Sequence, residues 1–226
     1  MEADLIVSLQ TADLDRYFPL LMITAEVNKL YCKLHNFEYR QFIGIKRGYF
    51  PWHATFNRIV MLKEMIDTGF RGWVFYLDAD AYIVELSYKI QTIINEVSKP
   101  VIMAPGGLSG AYWDVNSGVF LINLGEQISR DLALAWHADF MSTSDVQLRG
   151  APEWRMVPSD QERLQRILRE DQRFSDCVGR ANRKIFNDRS GSFIRQALRA
   201  DSNSWEERLS KVRKETSAVL NGIPIA

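Results

Sequence analysis

The residues most suggestive of chemistry in this chain are two aspartates, Asp78 and Asp80, separated by Ala79. They directly follow Trp73–Leu77, a short apolar run that predicts a buried strand. Residues two apart on a strand point to the same side, so the two carboxylates repel each other unless a cation lies between them. Mg²⁺ and Mn²⁺ prefer oxygen ligands of this kind. The pair therefore predicts a divalent-cation site, and two solvated aspartates at a strand end are the alternative.

The elements that must position this pair alternate between strands and helices. The resulting α/β pattern predicts a mostly parallel sheet flanked by helices, and ligands of such sheets bind beyond the carboxyl ends of the strands. Residues 142–159 are polar and irregular in pattern. Strands are predicted at Leu5–Leu9, Glu38–Ile43, Trp73–Leu77, Val101–Ala104 and Val119–Leu124, and helices at Tyr17–Leu34, Phe56–Ile66, Lys89–Val97, Ile128–Phe140 and Ser204–Leu220.

Composition narrows the classes of function. The 28 Lys and Arg residues balance the 28 Asp and Glu residues, which argues against nucleic acid as the main partner because phosphate binding leaves a basic excess. Cys32 and Cys177 form no metal motif and are predicted to be free buried thiols in a reducing compartment. Met1–Asp4 lack the charge pattern of a signal peptide, and no apolar run approaches a membrane span. We expect a cytoplasmic protein with possible peripheral contact to a membrane.

Two further stretches carry polar groups near predicted strand or helix ends. Asn116 and Ser117 offer hydrogen-bond donors and acceptors suited to sugar hydroxyls, and Gly118 lets a ligand or backbone approach closely. A plain turn is the alternative. Asp160 follows Ser159 at a predicted helix start, where Ser159 as N-cap and Asp160 as first-turn acid are equally ordinary structural roles.

Four stretches taken together resemble a known family: Val7–Thr11, Trp73–Asp80, Asn116–Asn123 and Ser159–Glu162. The chain is similar to the galactosyl- and mannosyltransferases of yeast Golgi and to the plant xyloglucan xylosyltransferases. The motifs agree in order from about Leu5 to Leu168. The resemblance implies a retaining enzyme with the glycosyltransferase A (nucleotide-diphospho-sugar transferase) fold, which has a Rossmann-like, mostly parallel sheet.

The resemblance also implies an organisation and a substrate class. One glycosyltransferase domain would span residues 1–226, with a nucleotide-binding half at about 1–100, an acceptor half at about 101–200 and a C-terminal helix at about 204–220. The donor would be a nucleotide diphosphate sugar resembling UDP-galactose or GDP-mannose, bound with Mn²⁺ or Mg²⁺. The acceptor would be a saccharide or glycolipid.

The site residues implied by the resemblance fall into three groups. Asp78 and Asp80 match the DXD motif and would hold the metal. Asp160 and Gln161 match the acidic-Gln pair beside the reacting carbon and would be catalytic. The donor would contact the positions Ser8, Leu9, Gln10, Thr11, Arg58, Asp78, Ala79, Asp80, Asn116, Ser117 and Gly118.

One departure from the family concerns the metal. Relatives carry a late histidine that completes the metal site, and this chain has no histidine after Asp160. Asn187, Gln196 or water would take that position. The basic run Arg180–Arg195 is interpreted as a flap over the diphosphate or as a solvated loop. Among the aromatic residues of predicted loops, Trp113 and Trp154 are the candidates for the acceptor side.

Two alternative functions remain at this stage. Phosphatases of the haloacid dehalogenase type also place Asp-x-Asp after an apolar strand, but they carry it near the chain start with Thr or Val at the position of Tyr82. The second alternative is a non-catalytic relative that binds a nucleotide sugar, which the absence of a late histidine keeps open.

Overall fold

A six-stranded sheet runs through the protein, and the computed structural model describes residues 5–198 and 204–222. The predicted absence of a leader concerns Met1–Asp4, which lie outside the described residues. The sheet has the order β2-β1-β3-β6-β5-β7, and a separate two-stranded sheet pairs β4 with β8. The strands are β1 (Ile6–Ala12), β2 (Glu38–Ile43), β3 (Trp73–Asp78), β4 (Ala81–Ile83), β5 (Val101–Pro105), β6 (Val115–Asn123), β7 (Val178–Arg180) and β8 (Ile194–Gln196).

Helices cover both faces of the main sheet. Alternate residues of β3 belong to two different cores: Val74 and Tyr76 pack in one, and Trp73, Phe75 and Leu77 pack in the other. A strand buried on both faces reads as the continuous apolar run seen in the sequence. The helices are α1 (Phe18–Leu34), α2 (Asn57–Asp67), α3 (Ile90–Val97), α4 (Gln127–Met141), α5 (Asp145–Arg149), α6 (Asp160–Glu170), α7 (Gln172–Cys177), α8 (Arg183–Phe186) and α9 (Trp205–Leu220), with a 3-10 helix at Pro51–Phe56.

The predicted α/β fold is confirmed, and its parallel pairs are β1 with β2, β1 with β3, and β5 with β7. β6 runs antiparallel to both β3 and β5. This reversal matters for the site, because the beginning of β6 then meets the ends of β1 and β3 at one edge of the sheet. Thr11 lies opposite Asp78, and Leu77 lies opposite Val119.

Several local predictions are also settled. The side chain of Ser159 caps α6 by accepting from the Glu162 backbone N–H, as its position predicted. Cys32 and Cys177 are free buried thiols. Residues 142–159, predicted as irregular, contain the short helix α5, whose N-cap Ser144 accepts from the Gln147 backbone N–H.

The position of the last helix, α9, follows from its apolar residues. Its apolar residues Val212 and Val219 pack with Leu20 and Val27 of α1 and with Tyr82 of β4. α9 therefore lies against α1 and the small sheet. This position brings it close to the residues that follow β3.

Candidate active site

Polar residues from three strands meet at one edge of the main sheet. Asp78 ends β3, and Thr11 lies beside it near the end of β1. On the other side of β3, the segment Asn116–Gly118 follows the first residue of β6. The small sheet adds Gln196, which pairs with Ala81 across β4 and β8. The carboxyl ends of parallel strands are the usual ligand position in such sheets. The topology thus gathers the predicted site residues from distant parts of the sequence.

Each aspartate of the pair binds an arginine through one oxygen and Gln196 through the other. Asp78 Oδ1 accepts from Arg58 Nη2 at 2.6 Å, and Asp78 Oδ2 accepts from Gln196 Nε2 at 3.1 Å. Asp80 Oδ2 accepts from Arg208 Nη2, and Asp80 Oδ1 accepts from Gln196 Nε2 at 3.0 Å. The inner oxygens of the two carboxylates therefore converge on one point, where the Gln196 amide nitrogen lies.

Arg58 joins this pair to the other predicted acid. Its Nη1 lies 3.3 Å from Asp160 Oδ2, and its guanidinium stacks over the ring of Tyr76 with 4.6 Å to the ring centroid. It also donates to the backbone carbonyls of Thr55 and Ser117. These contacts fix Arg58 between Asp78 and Asp160.

Hydroxyl groups hold Asp160 from both sides. The Ser117 hydroxyl donates to Asp160 Oδ2 at 2.7 Å, and the Thr55 hydroxyl donates to Asp160 Oδ1. The Asp160 carbonyl accepts from the indole N–H of Trp136 at 2.9 Å. Gln161 Oε1 accepts from the Ser117 backbone N–H at 3.2 Å. Asp160 is thus a buried carboxylate of fixed orientation, and Gln161 stands beside it.

The cluster formed by Asp78, Asp80 and Asp160 contains more carboxylates than guanidinium groups. Burial raises the pKa of Asp78 to about 7 against the opposing effect of Arg58, and the nearby carboxylates of Asp80 and Asp160 contribute to the rise. Burial also raises the pKa of Asp80, opposed chiefly by Arg208. Two guanidinium groups face three carboxylates here. An additional cation between the aspartates would relieve this imbalance.

A cavity with two lobes opens around the aspartate pair. The first lobe has a volume of about 120 Å³ and the second about 390 Å³, and the second lies within the size range of small-molecule sites. The lobes share Tyr17, Thr55, Arg58, Asp78, Asp80 and Trp154. The first lobe adds Thr11, Ala12, Asp13, Pro51, Trp52, Ala54, Tyr76 and Ala79, and the second adds Asn116, Ser117, Gly118, Arg155, Ser159, Asp160, Gln161, Gln196 and Leu198.

The structure places most of the predicted donor-binding residues in the lining of this cavity, but three of them do not line it. Ser8, Leu9 and Gln10 are fully buried. Gln10 belongs to an internal network, because its amide donates to Thr24 Oγ1 at 2.9 Å and accepts from the Tyr39 hydroxyl at 2.7 Å. A direct contact of these three residues with a donor stays a prediction.

Asn116 and Gly118 support the site through their neighbours. Asn116 Oδ1 accepts from the Gly118 backbone N–H at 2.7 Å and from Asn187 Nδ2 at 2.9 Å. A Cβ added to Gly118 would lie 2.7 Å from Asp78 Oδ2 and 2.7 Å from Gln196 Nε2. Only glycine therefore leaves room for this arrangement.

Of the two tryptophans predicted on the acceptor side, one lines the cavity and the other does not. Trp154 borders both lobes. Trp113 packs against the core under the guanidinium of Arg169, which lies 3.9 Å from its ring centroid. The run Arg180–Arg195, interpreted as a flap or a solvated loop, contains α8, and Phe186 and Phe193 anchor it in the core on one face of the sheet, so it is not a solvated loop. Closure of this run over a diphosphate stays a prediction.

Arg208 is the main site residue that the sequence analysis missed. It is 4% exposed and lies on the buried side of α9, three residues after Trp205 and four before Val212. A charged residue at the spacing of an apolar stripe was the available signal, because a buried charge needs a partner. The sequence did not reveal that the partner is Asp80.

The residues present fit a hard divalent cation. Among the described residues, no three His, Cys, Asp or Glu side chains form a group that could hold a metal. The inner oxygens of Asp78 and Asp80 nevertheless converge, and Gln196 brings an amide to the same point. Carboxylate and amide oxygens are ligands that Mg²⁺ and Mn²⁺ accept.

Comparison with known proteins decides the fold. The chain matches no family model and no curated protein. In three dimensions it is similar to a glycosyltransferase involved in the glycosylation of the major capsid of PBCV-1, with a TM-score of 0.67 and 15% sequence identity over 92% of this chain and 98% of that chain. The chain has the glycosyltransferase A fold.

Two further solved structures are similar to the chain at TM-scores that support no conclusion about fold or function. Protein A197 from STIV has a TM-score of 0.33 and 12% identity over 58% of this chain and 68% of that chain. A Drosophila β1,4-galactosyltransferase 7 in complex with manganese, UDP-Gal and xylobiose has a TM-score of 0.35 and 12% identity over 53% of this chain and 49% of that chain.

The glycosyltransferase A fold bears on the alternatives raised by the sequence. It argues against a haloacid dehalogenase-type phosphatase, because those enzymes have a different fold. Within the described residues, no helix is long and apolar enough to cross a membrane. The non-catalytic alternative shares the fold and needs a functional test.

Proposed function

We propose that this protein is a metal-dependent glycosyltransferase that moves a hexose or pentose from a nucleotide diphosphate sugar to a saccharide or glycolipid acceptor, with retention of the anomeric configuration. One observation carries the proposal: the inner oxygens of Asp78 and Asp80 converge at the junction of two lobes of a cavity. A nucleotide sugar has two bulky ends joined by a diphosphate. A cation site between two lobes matches that arrangement.

Asp78 and Asp80 would hold Mn²⁺ or Mg²⁺ through these inner oxygens. A divalent cation bound there supplies Lewis-acid neutralisation of the departing nucleoside diphosphate. The fixed positive charge of Arg58, which borders both lobes, adds to the electrostatic stabilisation of the leaving group.

The lining of the two lobes suggests which end of the donor each receives. Pro51, Trp52 and Trp154 give the first lobe apolar and aromatic faces, which stack well on a base. The second lobe is lined by amides and hydroxyls, including Asn116 and Gln161, which suit sugar hydroxyls. We assign the nucleoside to the first lobe, and the donor sugar with the acceptor to the second.

Asp160 would act as a fixed negative charge at the reacting carbon. Glycosyl transfer passes through oxocarbenium character at the anomeric carbon, which a nearby carboxylate stabilises. The Ser117 and Thr55 hydroxyls and Arg58 occupy both oxygens of Asp160. Covalent attack by Asp160 would require the loss of these contacts, so we favour electrostatic stabilisation. Gln161 would orient the donor sugar in the same lobe.

Calorimetric titration of UDP and GDP tests this proposal directly. The wild type should bind one of the two nucleotides with Mn²⁺ and lose that binding with a chelator. Asp80→Asn should abolish the metal-dependent part of the binding. The matched control is Asp67→Asn, which removes an exposed carboxylate that pairs with Lys63 on α2 and should bind as the wild type does. Binding that is equal in all three proteins and indifferent to chelator would sink the proposal.

Turnover separates an enzyme from a non-catalytic binder. UDP- and GDP-sugars of the nucleotide that binds should be hydrolysed slowly, or transferred when a saccharide acceptor is supplied. Release of sugar in the wild type and its loss in Asp80→Asn would establish catalysis. Tight donor binding without release of sugar across many acceptors would instead favour the non-catalytic alternative.

A further inference from the structure

Among the described residues, the side-chain amide of Gln196 makes hydrogen bonds through its nitrogen but not through its oxygen. Its Nε2 carries two hydrogens, and both are used: one donates to Asp78 Oδ2 at 3.1 Å and the other to Asp80 Oδ1 at 3.0 Å. Its Oε1 is buried and has no hydrogen-bond partner among the described residues. A buried carbonyl oxygen without a partner is unfavourable. The amide is therefore satisfied at its nitrogen and not at its oxygen.

A half-turn of the terminal amide exchanges the two atoms. Oε1 would then face the inner oxygens of Asp78 and Asp80, where three oxygens repel each other. A divalent cation between them reverses the sign of this interaction, because oxygen is the ligand atom it prefers. Cation binding and amide orientation are thus linked.

We propose that Gln196 is a two-state element of the cation site: its amide nitrogen bridges the aspartates without the cation, and its amide oxygen ligates the cation when it binds. This inference rests on the proposed function, because it concerns the same site. It assigns the third protein ligand to Gln196. Asn187, the other amide that the sequence offered, lies elsewhere, with its Nδ2 on Asn116 Oδ1 at 2.9 Å.

The surroundings hold everything except the amide in place. Arg58 and Arg208 bind the outer oxygens of the two aspartates, so the inner oxygens keep their direction in both states. The backbone of Gln196 is fixed by pairing with Ala81 and by donating to the Asp188 carbonyl at 3.1 Å. Only the terminal torsion of the side chain needs to change.

The ligand set predicts which cations the site accepts. Two carboxylates and an amide provide oxygen ligands alone, and Mg²⁺, Mn²⁺ and Ca²⁺ suit such a set. Imidazole would instead favour Zn²⁺ and Co²⁺. The protein should therefore prefer hard cations, and a nitrogen ligand at residue 196 should weaken that preference.

Variants of Gln196 test the assignment through metal affinity. Binding of Mn²⁺ is followed by electron paramagnetic resonance, and binding of Mg²⁺, Zn²⁺ and Co²⁺ by competition, with and without UDP or GDP. Gln196→Leu should weaken Mn²⁺ binding at least about tenfold, the scale on which changes around metal sites act. Gln196→Glu should strengthen it, and Gln196→His should raise affinity for Zn²⁺ and Co²⁺ relative to Mg²⁺. Gln41→Leu, at an exposed glutamine of β2, is the control and should bind Mn²⁺ as the wild type does.

A spectroscopic readout follows the amide itself. In a ¹⁵N-labelled protein, the side-chain NH₂ signals of Gln196 are identified as those that are missing from the spectrum of Gln196→Leu. These signals should shift on titration with diamagnetic Mg²⁺. Thermal unfolding in chelator checks that each variant is folded. If Gln196→Leu does not fold, the Mn²⁺ affinity of Gln196→Glu still tests the assignment. Equal Mn²⁺ affinity in the wild type and the folded Gln196 variants overturns this inference alone. A wild type that binds no cation, with or without nucleotide, overturns the proposed function as well.

Discussion

The guanidinium of Arg208 donates to Asp80 Oδ2, although the two residues lie 128 positions apart in the sequence. Arg208 also donates through Nε to the Ala197 carbonyl at 2.6 Å, and the Ala197 backbone N–H donates to the Asp80 carbonyl at 3.0 Å. α9 therefore contributes to the site by holding Asp80 next to the end of β8. Arg208 is a positioning residue, since it directs the other oxygen of Asp80 towards the cation position.

Replacement of Arg208 should weaken cation binding without a change in the ligands themselves. In Arg208→Met the Asp80 carboxylate loses the group that orients it, and such losses typically reduce metal affinity about 10- to 100-fold. Arg208→Lys should recover part of the affinity, because an ammonium keeps the charge but lacks the planar fork. The comparison is Arg213→Met, an exposed position of the same helix. Equal Mn²⁺ affinities in folded Arg208→Met and Arg213→Met would exclude the positioning role.

Gly118→Ala should disturb the site by steric conflict alone. The added Cβ would lie 2.7 Å from Asp78 Oδ2 and 2.9 Å from Gln196 Oε1, closer than real Cβ contacts. We expect at least about a tenfold loss of metal-dependent nucleotide binding, measured by calorimetry. Gly150→Ala is the matched control, because its nearest contact of 3.4 Å is ordinary. Nucleotide binding equal in both variants would show that the site tolerates a displaced Gln196.

The sequence was sufficient to predict that the candidate residues meet at one edge of the sheet. Apolar runs bounded by polar residues placed β1, β3 and β6, and the resemblance placed Asp78, Asp80, Asp160 and Gly118 near one another. A continuous apolar run is a local feature of the sequence, and burial of a strand on both faces requires it. Helix ends were equally local, as the Ser159 cap shows.

The partners within the site could not be predicted, because they depend on tertiary packing. Arg208 meets Asp80 only when α9 docks on α1, and the amphipathic stripe of α9 did not specify which surface it covers. The position of Gln196 beside Asp78 and Asp80 depends on the pairing of β8 with β4. Gln10 was predicted to contact the donor because it lies near a strand end, but its side chain hydrogen-bonds to Thr24 and Tyr39 inside the protein.

Acid should destabilise the protein in part through His53. Burial lowers the pKa of His53 below its usual value of 6.5, and its neutral Nδ1 accepts from the Tyr49 backbone N–H at 2.9 Å. Below about pH 6.5 the unfolded chain binds a proton at this residue that the folded protein resists, so this stability is present at higher pH and is lost as the pH falls. Each unit of pKa depression corresponds to about 1.4 kcal/mol.

His53→Asn isolates this contribution. The asparagine Oδ1 can still accept from the Tyr49 N–H but does not titrate. Chemical denaturation at pH 7.5 and 5.5 should show that the wild type loses more free energy of unfolding than the variant. The rise in the pKa of Asp78 acts in the opposite direction in both proteins and cancels in the comparison. Identical losses would mean that His53 titrates normally in the folded protein.

Thr55→Val should reduce turnover more than donor binding. Valine keeps the shape of threonine but removes the hydroxyl that donates to Asp160 Oδ1, so the carboxylate loses part of its orientation. If Asp160 stabilises charge that develops only in the transition state, kcat should fall about tenfold, or roughly 1.4 kcal/mol, with little change in KM. The control is Thr68→Val, which removes an exposed hydroxyl that donates to the Met65 carbonyl at the end of α2. A rise in KM at constant kcat would place Thr55 and Asp160 in donor binding and not in catalysis.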